Sequence, residues 1–370
     1  MPTTATPIST TDARPKSNGS LQDQAQFSIE RHEIIAGAAE QLIKPSTASA
    51  IAAIVSKLQP GTSLVDLAGW ADQIKRRKPT PDDDADTVAF LNDPRNATQP
   101  TWHFVDIPAN AAEYSRTALP EFTRDDDVVQ MLGHAIKSLK GDSTRFSKLN
   151  ALRLVVHLTG DVHQPVHVGC SFFDVSGAKP KLVLDPDKAN GLDDDHGGNL
   201  IILPIGSKGT PLHSYWDSRL GGKVDVGDLV SDADFDAAAA AIEASADAEA
   251  DVESAAPPAP SRDEVKRNAE RLASMIRADR AAAAGASSDP TPPGPPEQWP
   301  VTWATASLQA AQSAYQGLVV VKLSGGKSKN VLVKFKSGRA EYDDRNGPIL
   351  VARMKSAASN LAKLLDVILE

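Results

Sequence analysis

The sequence predicts a mainly α-helical protein, a single globular domain with long loops, and three observations predict it. Apolar residues recur at three- and four-residue steps in segment after segment, which is the period of a helix burying one stripe. Proline, glycine and polar clusters punctuate those segments. The chain has 370 residues, 41% of them apolar, enough for a substantial core.

Residues 1–26 are rich in Thr, Ser, Pro and Gln and have little to bury, so they read as a flexible arm preceding the fold. Order is expected from Phe27, because Ile34, Ile35, Ala38, Ala39 and Leu42 follow helical spacing up to Pro45, with His32 in the first turn. A second helix, 47–58, sets Ala50, Ile51, Ile54 and Leu58 on one side and is closed by Pro60 and Gly61. The spacing of Leu64, Leu67, Ala68 and Ala71 predicts a helix over 63–77, with Asp72 and Lys75 three apart on one side near its end. Residues 79–101 are polar and proline-bearing and read as loop, and the pentad Trp102-His103-Phe104-Val105-Asp106 is too short to assign.

Residues 128–139 are again helical by spacing. They lead through Gly141 and Asp142 to the stretch that organises the chain, LNALRLVVHLTGDVHQPVHV at 149–168. Leu149, Leu152 and Val156 form its apolar stripe, and His157 and Asp161, four apart, share a neighbouring face. Pro165 disfavours helix in the residue before it, so the helix should end near His163 or Gln164 and leave His167 on the exit loop. Residues 168–212 break into turns, with Gly197-Gly198 suited to close backbone approach and Leu200 to Leu203 reading as a short strand. The alanine-rich, acidic and proline-rich text at about 231–297, with a charged helical piece at 262–284, reads as an insertion with little to bury. Helix returns at 303–315. Leu350, Met354, Ala357, Leu361, Leu365 and Ile368 share the face of a last helix that completes the core.

Composition bounds the function. A net charge of −9 argues against holding nucleic acid by a broad basic surface, although a metal cluster could make one site locally cationic. Cys170 is the only cysteine, which excludes an internal disulfide and reads as a small buried residue. No apolar run reaches the length of a membrane span, and the first residues lack the apolar core of a secretion signal.

The chemistry-bearing residues are histidines and aspartates. His213 and Asp217 repeat the four-residue offset of His157 and Asp161. His103 and Asp72 are each wedged between an aromatic residue and a short apolar run, and Trp70, Trp102 and Trp216 lie within two residues of these candidates. Imidazoles and carboxylates suit zinc, and no cysteine cluster competes for that role. A histidine beside an apolar stripe is more often packed or solvated than a ligand, so spacing alone leaves both readings open. His196 follows Asp193 to Asp195, a run that reads as a solvated loop.

Taken together, Trp70-Ala71-Asp72, His103-Phe104-Val105-Asp106, His157-x3-Asp161-x-His163-Gln164-Pro165-x-His167, Gly197-Gly198-Asn199 and His213-x2-Trp216-Asp217 resemble the zinc-dependent single-strand nucleases of the S1/P1 type. These belong to the same superfamily as zinc phospholipase C. The resemblance runs from about Phe27 to the C-terminal helix and implies that helical fold with three bound zinc ions. It makes Asp72, His103, His157 and Asp161 the ligands of one zinc. His32, with Asp161 bridging and the Phe27 terminus completing it, belongs to a second, and His167, His213 and Asp217 to a third. In the family a tryptophan with a free amino group occupies the position of Phe27, and here that amine exists only if the arm is cleaved after Gln26. Phe104 resembles the residue that stacks a nucleobase, Asp106 the one that bonds its edge, Lys75 a cation at the scissile phosphate and Asn199 a polar residue near the third zinc.

The implied activity is hydrolysis of single-stranded DNA or RNA to 5′-phosphate products, with Asp72 and Lys75 catalytic, by a monomer that engages no membrane. 3′-Nucleotidase action can accompany it. The family is secreted or periplasmic, whereas no signal peptide is visible. A phospholipase C-like zinc phosphoesterase and a non-catalytic metal-binding homologue are the alternatives.

Overall fold

At the centre of the computed structural model lies a helix, Lys148–His163, with every residue from Leu149 to His163 buried. The structure describes residues 29–177, 179–205, 209–220, 261–283, 291–323 and 330–370. The arm at 1–26, Phe27 and residues 231–260 and 284–290 of the expected insertion lie outside the described residues.

Ser147 starts the central helix by accepting from the Asn150 N–H, and Pro165 ends it at Gln164, as the sequence predicts. Its burial on all sides exceeds the single stripe that the spacing shows. The polar faces are buried too, where partners across the fold meet them: Arg153 bonds Asp84 and Thr87, and Asn150 bonds the Asp86 carbonyl.

We number the main helices α1 (Ile29–Glu40), α2 (Pro45–Val55), α3 (Leu64–Ala68), α4 (Trp70–Gln73), α5 (Ala85–Asn92), α6 (Val128–Lys140), α7 (the central helix), α8 (Arg262–Ala282), α9 (Trp299–Tyr315) and α10 (Arg339–Ile368). α7 packs against α6, α9, α10 and α3. α6 starts on Asp127, whose carboxylate accepts from Val129 and Gln130, and ends on Gly141 at φ +97°. The helix predicted over 63–77 is divided at Gly69 into α3 and α4. A β-carbon at Gly69 would lie 3.0 Å from Ile29 Cγ2, so glycine lets the two segments meet under α1. The break also releases carbonyls at Ala68 and Ala71 for the site.

α8 falls within the stretch whose composition predicts little to bury, yet Val265, Ala269, Leu272, Ala273 and Ile276 are buried and the helix lies along α1. Its apolar stripe is narrow and diluted by alanine, which hides it from composition. Leu350, Ala357, Leu361 and Leu365 are buried along α10, with Met354 packed against the core, as the last helical face requires.

The predicted short strand, Ile201–Leu203, sits inside a four-stranded sheet. It pairs in parallel with Val331–Phe335 and antiparallel with Thr210–Pro211, and Leu318–Leu323 forms the far edge. The two largest apolar clusters among the described residues lie around α6 and α7 with Trp70, Trp102, Phe90 and Phe146, and around α8, the sheet, Tyr215 and Trp216. α1 contributes to both, Ala36 and Ala39 to the first and Ile34, Ile35 and Ala38 to the second. No described helix is long and apolar enough to cross a membrane.

Candidate metal centre

α7 presents His157 and Asp161 one turn apart, and the surrounding elements bring further imidazoles and carboxylates against them. His157 Nδ1 lies 2.6 Å from the Ala68 carbonyl freed at the helix break, which turns Nε2 inward, 3.3 Å from Asp72 Oδ1 and 3.2 Å from Asp161 Oδ2. His103 enters from the turn after Thr101, with Nδ1 2.9 Å from Asp161 Oδ2 and 3.5 Å from Asp72 Oδ1. Its other nitrogen is 3.1 Å from the Gln99 amide nitrogen, and that amide also donates to the Ala71 carbonyl at 2.7 Å. From α1, His32 stacks on His157 at 3.9 Å between ring centres and sets Nε2 3.3 Å from Asp161 Oδ1. His32 fits because α7 has no side chain at Gly160: a β-carbon there would lie 2.5 Å from His32 Nδ1.

Asp161 therefore meets imidazoles with both oxygens, Oδ2 towards His103 and His157 and Oδ1 towards His32 and His167, the last at 3.3 Å. Beyond it lies another group. His167 Nε2 is 3.6 Å from Asp217 Oδ1, His213 Nε2 is 3.2 Å from Asp217 Oδ2, and the two rings stack. His167 Nδ1 lies 3.0 Å from the His103 carbonyl, and His213 Nδ1 2.8 Å from the Gly197 carbonyl. Gly197 takes φ +62°, and a β-carbon there would lie 2.6 Å from the Val166 carbonyl, so only glycine lets the loop approach this closely. Three sets, His32-Asp72-His157, His103-His157-Asp161 and His167-His213-Asp217, each have ligand atoms within 4.8 Å of one another.

Burial and charge act against each other here. Burial disfavours a carboxylate at Asp72, yet His157, Lys75 and His103 outweigh it and hold the group ionised. Asp161 is likewise held well below the ordinary range by His157 and His103. Burial also opposes protonation of His157 and His167, but neighbouring carboxylates win and raise each to about 10 in the metal-free protein. For His103 burial prevails, with Lys75 adding to it, and lowers the group to about 3; His32 and His213 are lowered by burial as well.

The donors fit a cation that prefers nitrogen and oxygen. His157, His167 and His213 each direct Nδ1 at a backbone carbonyl and Nε2 inward, the outer bond that orients a ligating imidazole. His213 Nε2 and Asp217 Oδ2 are buried and, although 3.2 Å apart, make no hydrogen bond with each other or with another group, which is costly unless something else engages them.

The other candidates flank the cluster. Lys75 Nζ lies 3.0 Å from Asp72 Oδ1. Phe104 is half-buried, with the Arg124 guanidinium over its ring at 5.1 Å. The Asp106 side chain is 13% exposed, and burial, with Asp194 adding to it, pushes its carboxyl up to about 8 against the pull of Arg124. Asn199, half-buried, bonds the His196 carbonyl at 2.8 Å next to the Gly197-Gly198 turn. His163 points away from the cluster, with Nδ1 2.7 Å from the Thr159 carbonyl and Nε2 2.9 Å from the Asn360 amide. His134 and His196 are exposed.

Several supporting residues carry no signal that spacing could reveal. Gln164 bonds Asp217 Oδ1 at 2.7 Å, and Arg31, buried in α1, donates to the carbonyls of Trp216 and Leu220 and so holds the turn that carries Asp217. Asp195 accepts from the Gly198 N–H and from Ser171, shaping the glycine turn under His213. Gly160 was findable: a glycine inside an otherwise strong helix implies that something approaches closely.

A family model described as S1/P1 Nuclease matches residues 27–370. Endonuclease 2 of Arabidopsis thaliana is 24% identical over 201 residues, 52% of this chain and 54% of that protein, so the chain spans about half the length of that curated relative. With the match extending over all the elements that build the His/Asp cluster, the chain belongs to the S1/P1 nuclease family.

Proposed function

We propose that this protein is a zinc-dependent nuclease that hydrolyses phosphodiester bonds of single-stranded DNA or RNA and leaves 5′ phosphates. The observation that carries the reading is Asp161, whose two oxygens face four imidazoles while a separate His167-His213-Asp217 group lies beside it. That is a donor set for a cluster of cations, not for one ion. Asp72, His103, His157 and Asp161 would hold a first zinc and His32 with Asp161 a second, to which the resemblance adds Phe27. His167, His213 and Asp217 would hold the third. Bound zinc supplies Lewis acidity and lowers the pKa of water from 15.7 to roughly 7.

The chain's own residues do the rest. Asp72, kept ionised at the rim of the cluster, orients the attacking water, whose oxygen bonds to phosphorus as the bond to the 3′ oxygen breaks and that oxygen takes a proton. Lys75, placed at Asp72, offsets charge on the non-bridging oxygens. Phe104 stacks an unpaired base, worth about 1–3 kcal/mol and tolerant of sequence, and Asp106 and Asn199 give polar contacts to the nucleotide. A paired base cannot enter such a slot, hence the preference for single strands. The same groups would also accept a 3′-nucleotide.

The test is zinc counting by mass spectrometry together with hydrolysis of single-stranded DNA, RNA, duplex DNA and phosphatidylcholine. About three zinc ions, with cleavage of single strands well above duplex, supports the proposal. Turnover of phosphatidylcholine but not of single strands assigns a phospholipase-like role, and two or fewer zinc ions with no hydrolysis assigns an inert homologue.

A further inference from the structure

The base slot proposed above contains a group that the function has not used. Arg124 lies on the loop between Pro108 and α6 and is gripped at both ends. Its backbone N–H donates to Asp127 Oδ2 at 3.2 Å, the same carboxylate that starts α6 and accepts from the Tyr114 hydroxyl. At the other end Nη2 donates to the carbonyls of Thr101 at 2.9 Å and Phe104 at 3.3 Å, bracketing the turn that carries His103. Between these anchors the guanidinium lies over one face of the Phe104 ring, with Nη1 4.0 Å from Asp106 Oδ2 and Nε 3.4 Å from Asp126 Oδ1. Asp106 Oδ1, on the far side of that carboxyl, is buried and has no hydrogen-bond partner.

We infer that Arg124 is a positioning and specificity-determining residue for the nucleobase: it covers one face of Phe104, leaving the other for the base, and holds Asp106 with a free oxygen for a donor on the base edge. The inference rests on the nuclease reading for the identity of the ligand. The guanidinium is suited to the task because it is planar, stays charged and stacks on a ring while bonding in its own plane, which an ammonium cannot do. Stacking alone tolerates any base, whereas a carboxyl oxygen favours guanine, adenine and cytosine, whose pairing edge offers it an exocyclic amino group, over thymine and uracil, whose one donor there, N3–H, is flanked by two carbonyl oxygens that repel it. Arg124 touches no reacting atom in this arrangement, so its removal should act on binding and leave the chemical step alone.

The test compares wild type with Arg124→Ala and Arg124→Lys in zinc content, in cleavage of dinucleotides differing only in base, and in equilibrium binding of nucleoside 5′-monophosphates. For Arg124→Ala we expect KM and the monophosphate Kd to rise about tenfold, kcat to stay within about twofold, zinc content to be unchanged, and the preference for amino-bearing bases to flatten. Arg124→Lys should recover little of either. Wild-type KM, Kd and base preference in Arg124→Ala would overturn the inference, as would a fall in zinc content and kcat together, which marks a merely structural brace for the His103 turn. Nucleotide binding that depends on Arg124 in a wild-type protein that cleaves nothing would sink the nuclease reading and leave this one standing; a protein that binds no nucleotide sinks both.

Discussion

Raising the pH should tighten zinc binding steeply, because protons occupy the site first. His157 and His167 are each raised to about 10 in the metal-free protein, since burial, which opposes their charge, is outweighed by Asp72, Asp161 and Asp217. At pH 7 each is an imidazolium and must lose its proton to ligate. They belong to different ligand sets, so the apparent affinity of each site should rise about tenfold per pH unit between pH 7 and 9, or about 1.4 kcal/mol per unit. Loading both sites at pH 7 should release about two protons.

The folding stability of the zinc-free protein should move the other way. A histidine whose pKa is raised on folding contributes fully below its ordinary value of 6.5, and the contribution is lost as pH rises towards 10. The assays are competition against a chromophoric chelator at pH 7, 8 and 9, titration calorimetry in two buffers of different ionisation enthalpy, and thermal unfolding of the chelator-stripped protein over the same range. A flat affinity with buffer-independent heats would refute the reasoning, because the carboxylates would then not be holding protons on those rings.

Four substitutions probe the site by other routes. Gly160→Ala favours an isolated helix by about 1 kcal/mol, yet its new β-carbon meets His32; it should leave far-UV circular dichroism intact while zinc content falls, and unchanged zinc content would contradict the cradle. Asp161→Asn removes the charge that both oxygens share among four imidazoles. It should cut nuclease activity by more than about 100-fold, since losing only a supporting contact already costs 10–100-fold, and near-normal turnover would rule out a bridging role. Arg31→Met strands the Trp216 and Leu220 carbonyls and should cost about 2–4 kcal/mol in denaturant unfolding, with zinc lost from the Asp217 group; a neutral result would mean the turn holds itself. Phe104→Ala should weaken binding of a single-stranded oligonucleotide by about 1–3 kcal/mol without changing zinc content, and an unaltered Kd would place the stacking surface elsewhere.

Sequence by itself determined the helical class, the ends of α6 and α7 and which histidines and aspartates the fold gathers, but not α5, which lies in the stretch that reads as loop. Those features are local: a proline after Gln164 stops α7 wherever the chain lies, and a four-residue offset puts His157 with Asp161 whatever packs on them. Tertiary structure alone decided what partners those residues have. The break at Gly69 looks like continuous helix in sequence because the side chain packed against it, Ile29, lies forty residues earlier, and the released Ala68 carbonyl then orients an imidazole in α7. The dilute stripe of α8 has meaning only once α1 lies against it, and the strand at 331–335 gains its place from pairing with Ile201 and Ile202 and carries the 318–323 strand on its other edge. Arg31, Gln99, Gln164 and Asp195 escaped notice for the same reason: a buried polar group is defined by what it bonds across the fold, and that partner is not written beside it.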